Sequence, residues 1–178
     1  MKNLIRKAAL FAVAAVVSVS ASAQAGQMAA GANLAVGMGD EVTNFGIGAK
    51  FQYGITDNIR GEGAFTYFLE KDYVSMWDFS VNGHYLFPVA EGITVYPLAG
   101  LGMTGITVDV SDALGGWGEL VEAAGGSTSE SKSYFGVNVG GGAEYQLTET
   151  LSAGAELKYN IRGDWNRLIL QFGVTYKF

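Results

Sequence analysis

The sequence predicts an all-β protein, an eight-stranded antiparallel up-and-down barrel that spans a membrane. Three observations carry this expectation. Apolar residues recur with a period of two, in segments separated by clusters of Gly, Asn, Asp and Thr. One face of those segments is apolar and aromatic without a single charge, and the opposite face is polar and rich in Gly. A chain that is 49% apolar and has no Cys is neither a disordered segment nor a disulfide scaffold, and it offers no thiolate to a metal or a substrate. A formal charge of −6 with one His argues against nucleic acid as a partner, because phosphate neutralisation needs clustered Lys and Arg.

Residues 1–23 are expected to be a removed secretory signal. Lys2, Arg6 and Lys7 precede an apolar run from Ala8 to Val19, which ends in small residues. Ala21-Ser22-Ala23 places cleavage before Gln24, and Ala23-Gln24-Ala25 is a second acceptable site. The run is shorter than the roughly 20 residues a spanning helix needs. Losing Lys2, Arg6 and Lys7 takes the formal charge from −6 to −9, so the mature barrel domain, 24–178, is acidic.

The strands are read at about 27–38, 44–55, 59–69, 75–87, 93–108, 133–147, 151–162 and 167–178. In the second, Phe45, Ile47, Ala49, Phe51 and Tyr53 alternate with Asn44, Gly46, Gly48, Lys50 and Gln52; the fourth sets Trp77, Phe79, Val81 and Tyr85 against Asp78, Ser80, Asn82 and His84. The seventh alternates Leu157, Tyr159 and Ile161 with Glu156, Lys158, Asn160 and Arg162, and the last runs Leu168, Leu170, Phe172, Val174, Tyr176 and Phe178 on one side. Connections alternate too. Those at Thr56-Asp57-Asn58, Pro88 to Gly92 and Thr148-Glu149-Thr150 are short, whereas Ser111 to Lys132 is long and lies at the other end.

A soluble barrel with its apolar side inward would have a charged exterior, and a Gly-rich polar face suits the crowded interior of a narrow barrel instead. An outward aromatic face over closed strands requires hydrocarbon as its solvent. Two aromatic belts fit a bilayer: Tyr53, Tyr85, Phe87, Tyr145, Tyr176 and Phe178 near the short turns, and Phe45, Tyr67, Trp77, Phe79, Phe135 and Tyr159 near the long loop.

With these residues in view, the chain resembles the small eight-stranded outer-membrane barrels of diderm bacteria, the OmpA/OmpX-type and opacity-like "porin family" barrel domain. The resemblance rests on the signal segment, on Tyr53-Gly54-Ile55-Thr56-Asp57-Asn58-Ile59 recurring as Tyr145-Gln146-Leu147-Thr148-Glu149-Thr150-Leu151, and on the terminal Tyr176-Lys177-Phe178. It implies the bacterial cell outer membrane as location and outer-membrane lipid as surroundings. It also implies an assembly signal at Tyr176 and Phe178, read by the barrel-assembly machinery during biogenesis.

The lumen is expected to hold Lys50, Arg60, Glu62, Asp78, Glu144, Glu156 and Lys158, a mixed-sign set that neutralises itself rather than forming a selectivity ring. Eight strands leave an interior that side chains can fill. The expected role is therefore structural or surface-interacting, the alternative being a narrow porin-like channel for ions or small solutes. No catalytic residue, metal or cofactor is expected: His84 is the only candidate base, on the lumen face near the short-turn end, and no G-x-S-x-G or H-E-x-x-H pattern occurs. The candidate interaction segment, for an extracellular partner of unspecified kind, is the long loop. There Leu114, Trp117, Leu120 and Val121 stand among Asp112, Glu119, Glu122 and Glu130.

Overall fold

The computed structural model describes residues 25–39, 43–71, 74–109, 129–163 and 165–178. Among them are nine strand segments and no helix: β1 (Met28–Met38), β2 (Thr43–Gly54), β3 (Ile59–Lys71), β4 (Val74–Tyr85), β5 (Phe87–Ala90), β6 (Ile93–Asp109), β7 (Ser129–Gln146), β8 (Leu151–Ile161) and β9 (Arg167–Lys177). β4 and β5 are two parts of one wall, since both pair antiparallel with β6. Each wall pairs with its sequence neighbour, and β1 pairs with β9 from Ala29↔Lys177 to Met38↔Leu168, which closes an eight-walled antiparallel barrel. The predicted fold class is the one observed. The signal segment lies outside the described residues.

Two strand boundaries differ from the sequence reading by more than two residues. The fourth strand does not run unbroken from 75 to 87: the ladder is interrupted at Leu86 and resumes to Ala90, leaving only Glu91 and Gly92 as a turn, with Gly92 at φ 72°. The cause is local. The Leu86 amide donates to the Asn58 carbonyl at 2.7 Å, and Asn58 Nδ2 donates back to the Leu86 carbonyl at 3.3 Å, so both backbone groups bond the β2–β3 turn. Pro88 then lacks an amide, and the β5 register shifts between Pro88 and Ala90.

The sixth predicted strand starts at Ser129 rather than 133, so Ser129 to Lys132 belong to β7 and not to the long loop. The β6–β7 ladder continues from Ile106↔Lys132 to Asp109↔Ser129. A cross-strand hydroxyl pair, Thr107 Oγ1 to Ser131 Oγ at 3.0 Å, and the β-branched run Ile106-Thr107-Val108 favour this extension.

The repeated hairpin pattern has a repeated geometry. Thr56 Oγ1 accepts from the amides of Asn58 (3.3 Å) and Ile59 (3.0 Å), and Thr148 Oγ1 accepts from Thr150 (3.3 Å) and Leu151 (3.0 Å). Threonine hydroxyls thus hold both turns tight.

Facing follows parity. Leu34, Phe45, Ile47, Phe51, Phe65, Val81, Leu101, Val137, Leu157 and Phe172 are exposed, while Gln52, Asn82, Asn138 and Lys158, each next in sequence to one of them, are buried in the lumen. Small residues make that interior possible. A Cβ on Gly142 would lie 2.6 Å from Tyr96 Cζ, and one on Gly102 would lie 2.6 Å from Arg162 Nη2.

Candidate functional site in the barrel lumen

The interior is layered. At the long-loop end, Ala35, Phe68, Met76, Ile106 and Ile169 form a buried apolar cluster, against which Tyr134 and Trp165 pack. At the short-turn end a smaller apolar cluster joins Leu86, Tyr96 and Leu98. The charges lie between them and beside the short-turn cluster, where Arg60 stands 5.1 Å over the Tyr96 ring. Sequence reasoning missed both clusters because it treated the inward face as polar; parity alone places Phe68 on the side of Thr66, and Leu98 on the side of Gly100 and Thr104.

All seven predicted lumen charges line the interior, and they fall into groups. Arg60 Nη1 donates to Glu144 Oε1 and Oε2 at 3.0 and 2.9 Å. Lys50 Nζ lies 3.7 Å from Glu62 Oε2, which also accepts from Gln52 Nε2 at 2.8 Å. Asp78 Oδ2 accepts from Thr104 Oγ1 (2.9 Å), Asn160 Nδ2 (3.0 Å) and Arg162 Nη2 (3.2 Å). Glu156 and Lys158, neighbours on one face of β8, take separate partners: Tyr96 OH donates to Glu156 Oε2 at 3.2 Å, and Lys158 Nζ donates to Ser80 Oγ at 3.3 Å. The charges are nearly all fully buried, so each depends on these partners for what water would otherwise supply.

His84 stands among them, 1% exposed, with its ring stacked on Tyr96 at 4.6 Å and 8° between planes. Arg60 Nη2 is 3.3 Å from His84 Nδ1, and His84 Nε2 is 3.8 Å from Glu62 Oε1. Higher up, Arg167 donates to Asn44 Oδ1 and Met76 Sδ and lies 4.7 Å over the Phe68 ring, so the guanidinium is part of the outer apolar cluster.

Tyr176 and Phe178 are elsewhere, exposed on the outer face at the short-turn end. The Phe178 amide donates to the Met28 carbonyl at 3.0 Å, and its ring centroid is 6.5 Å from that of Phe51. Leu114, Trp117, Leu120 and Val121 lie outside the described residues.

A closed eight-walled barrel, apolar without and ion-paired within, is the architecture that the comparison with protein families then matches: the family model "Outer membrane protein beta-barrel domain" covers residues 9–178. The chain belongs to that family. It is an integral β-barrel of the bacterial outer membrane, and its exposed aromatic belts face lipid. No curated protein sequence matches it. Among solved structures it is similar to the N-terminal β-barrel domain of Pseudomonas aeruginosa OprF (20% identity, TM-score 0.64, 88% of this chain and 100% of that one). It is also similar to Neisserial surface protein A (19%, 0.65, 85% and 96%) and to the attachment invasion locus protein Ail of Yersinia pestis (18%, 0.57, 85% and 97%). At these identities the likeness is one of fold.

Proposed function

We propose that this barrel is a closed structural and surface-interaction protein of the outer membrane rather than a pore, and that it has no catalytic site. One observation carries the reading: apolar clusters stand at both ends of the lumen, Phe68-Met76-Ile106-Ile169 and Leu86-Tyr96-Leu98, and the buried charges are ion-paired or hydrogen-bonded to other lumen side chains. An ion would have to dehydrate to pass either cluster and would then have to break Arg60–Glu144 or Asp78–Arg162. His84 is buried, flanked by Tyr96, Arg60 and Glu62 and out of reach of a substrate from bulk solvent, which supports the absence of acid–base catalysis. Interaction with an extracellular partner falls to the loop between β6 and β7, where Trp117 is the proposed anchor.

Single-channel recording of the refolded barrel in planar bilayers tests the closed lumen. No conductance steps are expected; steady, reproducible steps would establish the narrow channel instead. Excising residues 112–127 tests the loop, since a barrel that still folds should lose binding to cell surfaces.

A further inference from the structure

Three lumen groups on three different walls turn toward one point. Glu62 comes from β3, His84 from β4 and Glu156 from β8, and one polar atom from each lies within 4.8 Å of those of the other two. All three residues are at least 97% buried. Each carboxylate already uses its Oε2, Glu62 toward Gln52 and Lys50 and Glu156 toward Tyr96. Glu62 Oε1 faces His84 Nε2 at 3.8 Å, beyond hydrogen-bond length. Among the described residues, His84 Nε2 and Glu156 Oε1 have no hydrogen-bond partner. A buried unmade hydrogen bond costs about 1–3 kcal/mol per group, so two such atoms on side chains that meet around one point indicate a ligand between them.

A His with two carboxylates suggests a divalent metal, but the ring nitrogens decide against it. A guanidinium only donates, so Arg60 Nη2, 3.3 Å from His84 Nδ1, requires the lone pair on Nδ1. The ring proton is then on Nε2, the atom a metal would need bare. Arg60 is itself held by Glu144, and Lys50 stands 3.7 Å from Glu62, so two cations already flank the point.

The corners are thus one donor, His84 Nε2–H, and two carboxylate acceptors. The matching ligand accepts one hydrogen bond and donates two. Atoms no more than 4.8 Å apart share a centre within about 2.8 Å of every corner, which is hydrogen-bond length for water. We propose that Glu62, His84 and Glu156 bind a single internal water molecule, which ties β3, β4 and β8 together across the lumen between the two apolar clusters. Three polar partners are the usual complement of a buried water.

The test is NMR of the refolded, isotope-labelled mature barrel in lipid nanodiscs. Long-range ¹H–¹⁵N spectra are expected to show His84 protonated at Nε2, with a cross-peak from that proton to a slowly exchanging water. Glu156→Leu should abolish the water cross-peak while keeping the folded, heat-modifiable band. If that variant does not fold, the wild-type cross-peak decides alone. Zn²⁺ titrated into the same sample should leave the His84 signals unmoved. Protonation at Nδ1, an Nε2 proton without any water contact, a cross-peak that survives in folded Glu156→Leu, or one equivalent of Zn²⁺ bound through His84 would each overturn the assignment.

Discussion

Arg60 on β3 and Glu144 on β7 meet across the lumen, 84 residues apart in sequence, with one guanidinium nitrogen 2.9 and 3.0 Å from the two carboxylate oxygens. Removing one side chain strands a desolvated charge, so Glu144→Gln or Arg60→Met should each lower stability by about 3–5 kcal/mol. The double variant should recover much of that loss. Urea unfolding in lipid vesicles measures the cycle, and strictly additive single losses would show that the two residues are not coupled.

The lipid face can be tested one residue away from the lumen. Leu157 is 46% exposed and Lys158 1%, on adjacent positions of β8. Spin labels at Leu157 and Val139 should report oxygen-accessible hydrocarbon, and labels at Lys158 and Asn138 should not. Leu157→Arg should cost on the order of 2–4 kcal/mol near the midplane.

Phe68 is fully buried at the centre of the outer apolar cluster. Phe68→Ala should destabilise the barrel by about 3–5 kcal/mol. It should still not conduct, because Leu86, Tyr96 and Leu98 continue to close the short-turn end. Conductance steps from this variant alone would mean that the outer cluster is the sole barrier.

Deleting Phe178 should reduce insertion into the outer membrane. The residue supplies the last backbone bond to β1, from its amide to the Met28 carbonyl, and it is the terminal aromatic that the family resemblance assigns to assembly. Heat-modifiable mobility in fractionated cells reads the outcome; a truncated chain at normal membrane levels would count against the role.

The walls of the barrel were legible because a bilayer outside and a narrow lumen inside impose opposite chemistries on alternate residues. The interruption at Leu86 was not. Tyr85 and Phe87 keep the alternation intact through the break, and its cause is a bond from a different hairpin, at Asn58. Charge content of the lumen could be read from parity, and the adjacent-strand pair Lys50–Glu62 followed from hairpin register. Arg60–Glu144 and Asp78–Arg162 could not, since partners on distant walls are set by strand stagger around the whole barrel. Glu156 shows the limit of local reading: two residues from Lys158 on one face, it bonds the Tyr96 hydroxyl over Gly142 of the intervening strand instead.

The pairing of β1 with β9 has a kinetic consequence. Ala29 meets Lys177, so the first strand made is among the last to find its second partner, and loop closure of that length is slow. Until β9 arrives, β1 carries an open row of amides and carbonyls beside the bare aromatic surface of Phe45, Phe51 and Phe65, a template for joining other chains. The time between export and closure, more than the stability of the finished barrel, therefore sets the risk of aggregation for this sequence.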